Sequence, residues 1–143
     1  MLAVNSYDKA QIQACRRQID QQLTAYRKLL AAARSGEADR TLNNAALQFE
    51  QGFYKQMLLA LDRCFVHRAR GLERKDGNPL NEVRMLCDSI VAGHDTLQAD
   101  STVKYDPARA VLKLRIGEPI KLSADDFQTL ADAFFEELIS KYC

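Results

Sequence analysis

Apolar side chains recur at helical spacing most persistently between Leu42 and Arg70, a segment with no proline and one interior glycine, Gly52. At 3.6 residues per turn, Leu42, Ala46, Phe49, Phe53, Met57, Ala60 and Cys64 form one stripe. Leu47, Tyr54, Leu58, Leu61 and Phe65 form a second stripe beside it. Together they make an apolar face about half the circumference wide, broader than the roughly 100° of an ordinary surface helix. Such a helix needs neighbours on two sides. The pattern therefore predicts a central helix over Leu42 to Arg70, closed by Gly71. Leu59 and Val66 point to its polar back, which predicts cover from another segment or a seam with a partner chain.

The flanking patterns supply the neighbours. Ile12, Cys15, Ile19, Leu23, Tyr26, Leu30 and Ala33 mark a first helix, with Ser6 as cap, Asp8 in its first turn and Gly36 as its stop. The short stretch from Ser35 to Arg40 returns the chain antiparallel. Asn78-Pro79 opens a third helix, Asn as cap and Pro as first helical residue, carrying Leu80, Val83, Leu86, Cys87, Ile90 and Val91 as far as Gly93. Ser123-Ala124-Asp125-Asp126 resembles a capping box and starts a last helix with Phe127, Leu130, Phe134, Phe135, Leu138 and Tyr142 on one side.

Between the third and last helices the period changes to two. Thr102 to Tyr105 is rich in β-formers, and Asp106-Pro107 is a turn signal. Ala110, Leu112, Leu114 and Ile116 alternate with Val111, Lys113 and Arg115, and after Gly117-Glu118-Pro119 the alternation resumes at Ile120 and Leu122. This predicts a small antiparallel β-meander with one basic face. The expected fold class is α+β, mainly α: an antiparallel four-helix bundle with that meander before the last helix, in one domain over residues 1–143.

Composition narrows the function classes. A net charge of +1 gives no global field to attract nucleic acid or an acidic membrane. No apolar run approaches the roughly 18 residues of a membrane span. Met1 to Tyr7 does not read as a secretory signal. Cys15, Cys64, Cys87 and Cys143 are scattered, as reduced thiols of a cytoplasmic protein would be.

Three groups of residues could carry chemistry. Cys64, His67, Cys87 and His94 make a Cys₂His₂ set on paper. With the second and third helices folded about Lys75, however, His94 falls roughly 16 Å beyond the level of His67, at 1.5 Å of rise per residue. Zinc ligands lie within about 2.3 Å of the metal, so neither a metal nor any other cofactor is expected. Glu50 falls near the middle of the apolar face with Asn43 two turns earlier, close to Tyr26 and Gln22 of the first helix. A carboxylate there must be paired, hydrogen-bonded or protonated. It is satisfied by Tyr26 or a basic side chain, or lies where the face is uncovered, or forms a polar ligand-binding pocket with Asn43, Tyr54 and His94. Finally, Arg63, His67, Arg68, Arg70, Arg74 and Lys75 crowd the end of the central helix. Cations favour a helix C-terminus, Asp62, Glu73 and Asp76 dilute the run, and no exposed aromatic series interleaves. Those features favour a solvated face over nucleic acid, with Arg63, His67, Arg70 and Arg74 as the candidate anion-binding residues.

Two resemblances touch this region. Arg63-Cys64-Phe65-Val66-His67 is similar to the Arg…His signature of HEPN ribonucleases, which implies an all-helical dimer, although that family spaces the pair four to six residues apart and here three intervene. Leu61 to Cys87, with its His-Arg-Ala-Arg run and Asp-Gly-Asn-Pro-Leu-Asn loop, resembles small uncharacterised bacterial helical proteins and brings no activity with it. No Gly-x-Ser-x-Gly elbow, phosphate loop or dinucleotide turn is present. The sequence therefore favours a non-enzymatic interaction or regulatory module that associates with itself or another protein. The alternatives are a ligand-binding or hydrolytic site at Glu50 or at Arg63/His67, and nucleic-acid binding through the basic stretch 63–75.

Overall fold

The computed structural model describes residues 2–35 and 40–143. Five helices follow in order: α1 (Lys9–Arg34), α2 (Arg40–Arg63), α3 (Arg70–Glu73), α4 (Pro79–Val91) and α5 (Ala124–Tyr142). The cap of α1 is Asp8, whose carboxylate accepts from the Ala10 amide at 3.0 Å, and not Ser6. The expected stop at Gly36 lies outside the described residues. Asn78 caps α4 by accepting from the Leu80 and Asn81 amides, with Pro79 at the first helical position. Gly93, at φ 82°, follows the α4 cap Ala92 in the left-handed region where glycine is at ease. Ser123 and Asp126 close the reciprocal capping box of α5.

The four long helices alternate in direction. Tyr26 stacks on Phe53 with ring centroids 4.5 Å apart, and Cys15 lies beside Cys64, so α1 and α2 are antiparallel. Arg16 meets Asp132, and Tyr7, just before α1, meets Tyr142, so α1 and α5 are antiparallel too. Tyr54 packs on Phe127 and Phe65 on Phe134, which sets α5 parallel to α2. Helix α2 therefore touches α1, α4 and α5. Its buried residues Tyr54, Met57, Leu58 and Leu61 explain the breadth of its apolar face. Phe127, Phe134 and Phe135 of α5 are fully buried against them, each contributing about 2 kcal/mol of hydrophobic stabilisation.

Two expectations are corrected. Helix α2 runs unbroken through Gly52 but stops at Arg63 rather than Arg70. A turn follows in which His67 takes φ 61°, and Arg68 then pairs in extended form with Val4. The Val4 amide donates to the His67 carbonyl at 2.7 Å, and the Ala69 amide to the Val4 carbonyl at 2.8 Å. That pairing occupies the backbone groups a continuing helix would need. Gly71 consequently lies inside α3 and terminates nothing.

The second correction is the β-meander. Among the described residues no strand is formed, and the fold class is helical rather than α+β. Residues 93–122 form an irregular strap over α4. Leu97, Val103, Ala110, Ile120 and Leu122 are buried in it, so the apolar spacing is used, yet without a ladder. The physical reason lies in the backbone donors. The Val111 amide donates to Glu82 Oε1 at 2.8 Å and the Leu112 amide leans on Glu82 Oε2 at 3.4 Å, both in α4. Lys113 then takes φ 56°, which breaks any extended run at the middle of the expected strand. A single antiparallel bridge, Thr96 with Pro119, ties the two ends of the strap.

At 1.5 Å per residue α1 is about 39 Å long and α4 about 20 Å. The α1–α2 pair thus extends past the level of Tyr54, where α5 begins, and its far part is covered on fewer sides.

Candidate functional sites

The bend after α2 places a charged cluster inside the protein. Arg68 and Glu73 are buried, Glu73 completely. The Arg68 Nε donates to one Glu73 oxygen and Arg84 Nη2 to the other. Arg68 Nη1 also donates to the Phe65 carbonyl at 2.9 Å and faces Asp62 at 3.4 Å, while its guanidinium lies 5.4 Å over the Phe134 ring. Tyr142 Oη donates to the Ala69 carbonyl at 3.1 Å, and Lys141 Nζ to the Glu73 carbonyl at 3.0 Å. Burial by itself would ease the proton off Arg68, but the carboxylates of Glu73 and Asp62 outweigh it and raise its pKa. Burial, with Glu73 adding to it, pushes the Tyr142 phenol up to about 12. With both Glu73 oxygens taken by guanidinium groups, this cluster joins the end of α2, α3, α4 and α5 and offers no free base.

The same bend sorts the predicted anion-binding residues. Arg70 and Arg74 line one cleft of about 390 Å³, together with Gly71, Lys75 and Thr102. Arg63 and His67 are exposed and line no part of it. Arg70 Nη2 donates to Thr102 Oγ1 at 3.0 Å, and Thr102 in turn donates its hydroxyl to Asp100 at 2.6 Å and its amide at 2.8 Å. Those two bonds, the hydroxyl first, hold the Asp100 carboxyl below its usual range. Lys75 belongs to the basic run of the sequence, whereas nothing in the sequence points to Thr102, which arrives from the strap.

The predicted Glu50 pocket is divided. Asn43 is exposed, Glu50 half-buried and Tyr54 fully buried. Burial raises the Tyr26 and Tyr54 phenols, and the Glu50 charge adds to both, which places Glu50 beside them as the helical register implied. Both hydroxyls are buried without a hydrogen-bond partner among the described residues. His94 stands elsewhere, in a cleft with Met85, Asp88, Ser89 and Asp100 that includes none of the other three. Among the described residues no three His, Cys, Asp or Glu side chains converge as metal ligands. Cys64 is exposed, and Cys87 is buried with its thiol aimed at the Leu58 carbonyl.

Two further features lie outside the predicted sites. Glu82, in the first turn of α4, is 2% exposed and accepts only the Val111 and Leu112 amides; burial pushes its carboxyl up to about 7, against the opposing pull of those two donors. The other lies where α1 and α2 outrun the rest. There Tyr26, Leu29, Leu30, Ala33, Leu42, Ala46 and Phe49 line an apolar groove of about 220 Å³. Leu29 is 66% exposed and Phe49 57%. Phe49 stacks on Tyr26 and Phe53 at 5.8 and 5.6 Å, so its ring is held in place although its outer face is bare. Leu59, expected to be covered by another segment or by a partner chain, packs on the core edge, and Val66 is exposed in the turn after α2. No helix is long and apolar enough to cross a membrane among the described residues. No protein-family model matches the chain, and no curated protein and no solved structure matches it either.

Proposed function

We propose that this chain is a small non-enzymatic interaction module of the cytoplasm that pairs with a second copy of itself through the α1–α2 groove. The observation that carries this reading is the row of exposed apolar side chains, Leu29, Leu42 and Phe49, on one helix pair. Their exposed area is about 300 Å², the size of patch that on a monomer is often functional. At the roughly 57% apolar share of an ordinary interface, that projects to about 1,000 Å² buried between two copies, the lower bound for a specific contact. Two such helix pairs laid face to face would complete four-helix packing where each copy alone has two helices. Four unpaired cysteines, two of them exposed, fit a reducing compartment.

Sedimentation of the wild type and of Leu29→Glu tests this. Leu29 is mostly exposed, so the variant keeps its helical circular dichroism. A wild-type dimer that becomes monomeric in Leu29→Glu supports the reading. A wild type that sediments as a monomer up to millimolar concentration, or a dimer indifferent to the substitution, refutes it.

A further inference from the structure

We propose that the cleft between α3 and the strap binds the phosphate group of a small, soluble phosphomonoester. Its walls carry Arg70, Arg74 and Lys75, and none of the five residues lining it is acidic. Three cations so close would ordinarily be dispersed or paired. Here the nearest carboxylates are already engaged. Glu73 has one oxygen on Arg68 and the other on Arg84, and Arg70 shares the second only through its Nε at 3.7 Å, so its Nη groups face away from that pair. Asp100 is occupied by the Thr102 hydroxyl and amide. Thr102 therefore orients the Arg70 guanidinium and leaves its remaining donors for a ligand.

The backbone adds an independent argument. Arg74 sits at φ 64°, ψ −169°, a region that is essentially glycine's own. The turn is held in that shape from below. Asn81, fully buried, donates to the Arg74 carbonyl at 3.2 Å and to the Asp76 carbonyl at 2.8 Å, and Asn78 donates to the Glu73 carbonyl. Glycine would fit this turn better, yet the position carries a long cation that lines the cleft. Strain of this kind gathers at ligand clamps. Two guanidinium forks and an ammonium match the oxygens of a phosphate dianion. A volume of about 390 Å³ leaves room for the small organic group it is esterified to.

Amide NMR titration of the full chain with inorganic phosphate and with glycerol 3-phosphate tests the proposal, against sodium chloride at equal ionic strength. Saturable shifts at Arg70, Gly71, Arg74, Lys75 and Thr102 are expected with both phosphates and not with chloride. Arg74→Gly should melt higher than the wild type, because it relieves the turn, and should bind about tenfold more weakly, the loss of one charge-assisted contact. Lys75→Gln, at an exposed position, should weaken binding without altering the melt. The proposal is overturned if chloride reproduces the shifts, if Arg74→Gly and Lys75→Gln bind as the wild type does, or if only a single-stranded oligonucleotide binds, in a salt-dependent manner.

Discussion

Replacing Glu82 by glutamine isolates the one buried carboxylate among the described residues that has no cationic partner in its hydrogen bonding. In the folded protein burial lifts its pKa from 4.5 to about 7. Between those two pH values the folded state holds a proton that the unfolded chain has released. The stabilising contribution of the protonated carboxyl is thus complete below about pH 4.5 and lost as the pH rises through about 7. At 1.36 kcal/mol per pKa unit, the wild type gives up about 3 kcal/mol across that window. Glutamine does not titrate. Its carbonyl can still accept from the Val111 amide, but its amide cannot accept from Leu112, at a cost of about 1 kcal/mol. Glu82→Gln should therefore be less stable than the wild type by about 1 kcal/mol only below about pH 4, nearly equal to it near pH 5, and more stable by about 2 kcal/mol near pH 8. Denaturant melts of the two proteins, followed by circular dichroism at half-unit steps from pH 4.5 to 8.5, give the difference curve. All other titrating groups cancel in it. A flat difference would refute the reasoning. A difference of opposite slope would show that the two amide donors outweigh burial.

The buried charge cluster and the thiols give two more outcomes. Glu73→Gln removes the charge that offsets Arg68 and Arg84 and should cost about 3–5 kcal/mol in a denaturant melt; a loss below 1 kcal/mol would show that the cluster is dispensable. In the native protein a disulfide-exchange reagent should modify Cys64 and Cys143, which are exposed, at once. Cys15 and Cys87 should react only on unfolding, since burial pushes the Cys15 thiol up to about 12, with Cys64 adding to it, and raises Cys87 as well; four equally fast thiols would contradict the packing.

Where the sequence is readable, a side chain acts on its own neighbours. The Asn78-Pro79 start of α4, the Ser123–Asp126 box and the aromatic stripe of α5 depend on spacing within one helix, and all are found. The end of α2 depends on something spacing cannot express. In the sequence Arg68 is one more cation in a basic run, but the buried Glu73 carboxylate, which it shares with Arg84, draws it inside together with the bend that carries it. That single inward residue separates Arg63 and His67 from Arg70 and Arg74. Residues 110–116 show the same limit from the other side. Ala110, Leu112 and Leu114 are at least partly buried as their alternation implied, yet Val111 is too and Ile116 is 47% exposed. Period two indicates an extended chain but not what will receive its amides. Glu82 reads as an acid placed well for the α4 dipole, and nothing in its surroundings in the sequence indicates that the Val111 and Leu112 amides, 29 and 30 positions on, end at its carboxylate.

The strap's dependence on α4 has a consequence for the order of assembly. A sheet can form by zipping along its own ladder, whereas residues 93–122 join their two ends by a few backbone bonds, Leu97 with Glu118 and Gly117 and Ile120 with Asp95, and are fixed to α4 by side-chain acceptors, Glu82 near one end of that helix and Ser89, which accepts the Gln98 amide at 3.0 Å, near the other. Those acceptors are spaced correctly only after α4 has coiled. The Gln98 and Val111 amides are thus expected to gain protection from hydrogen exchange only once α4 has formed, whatever the state of the rest of the bundle.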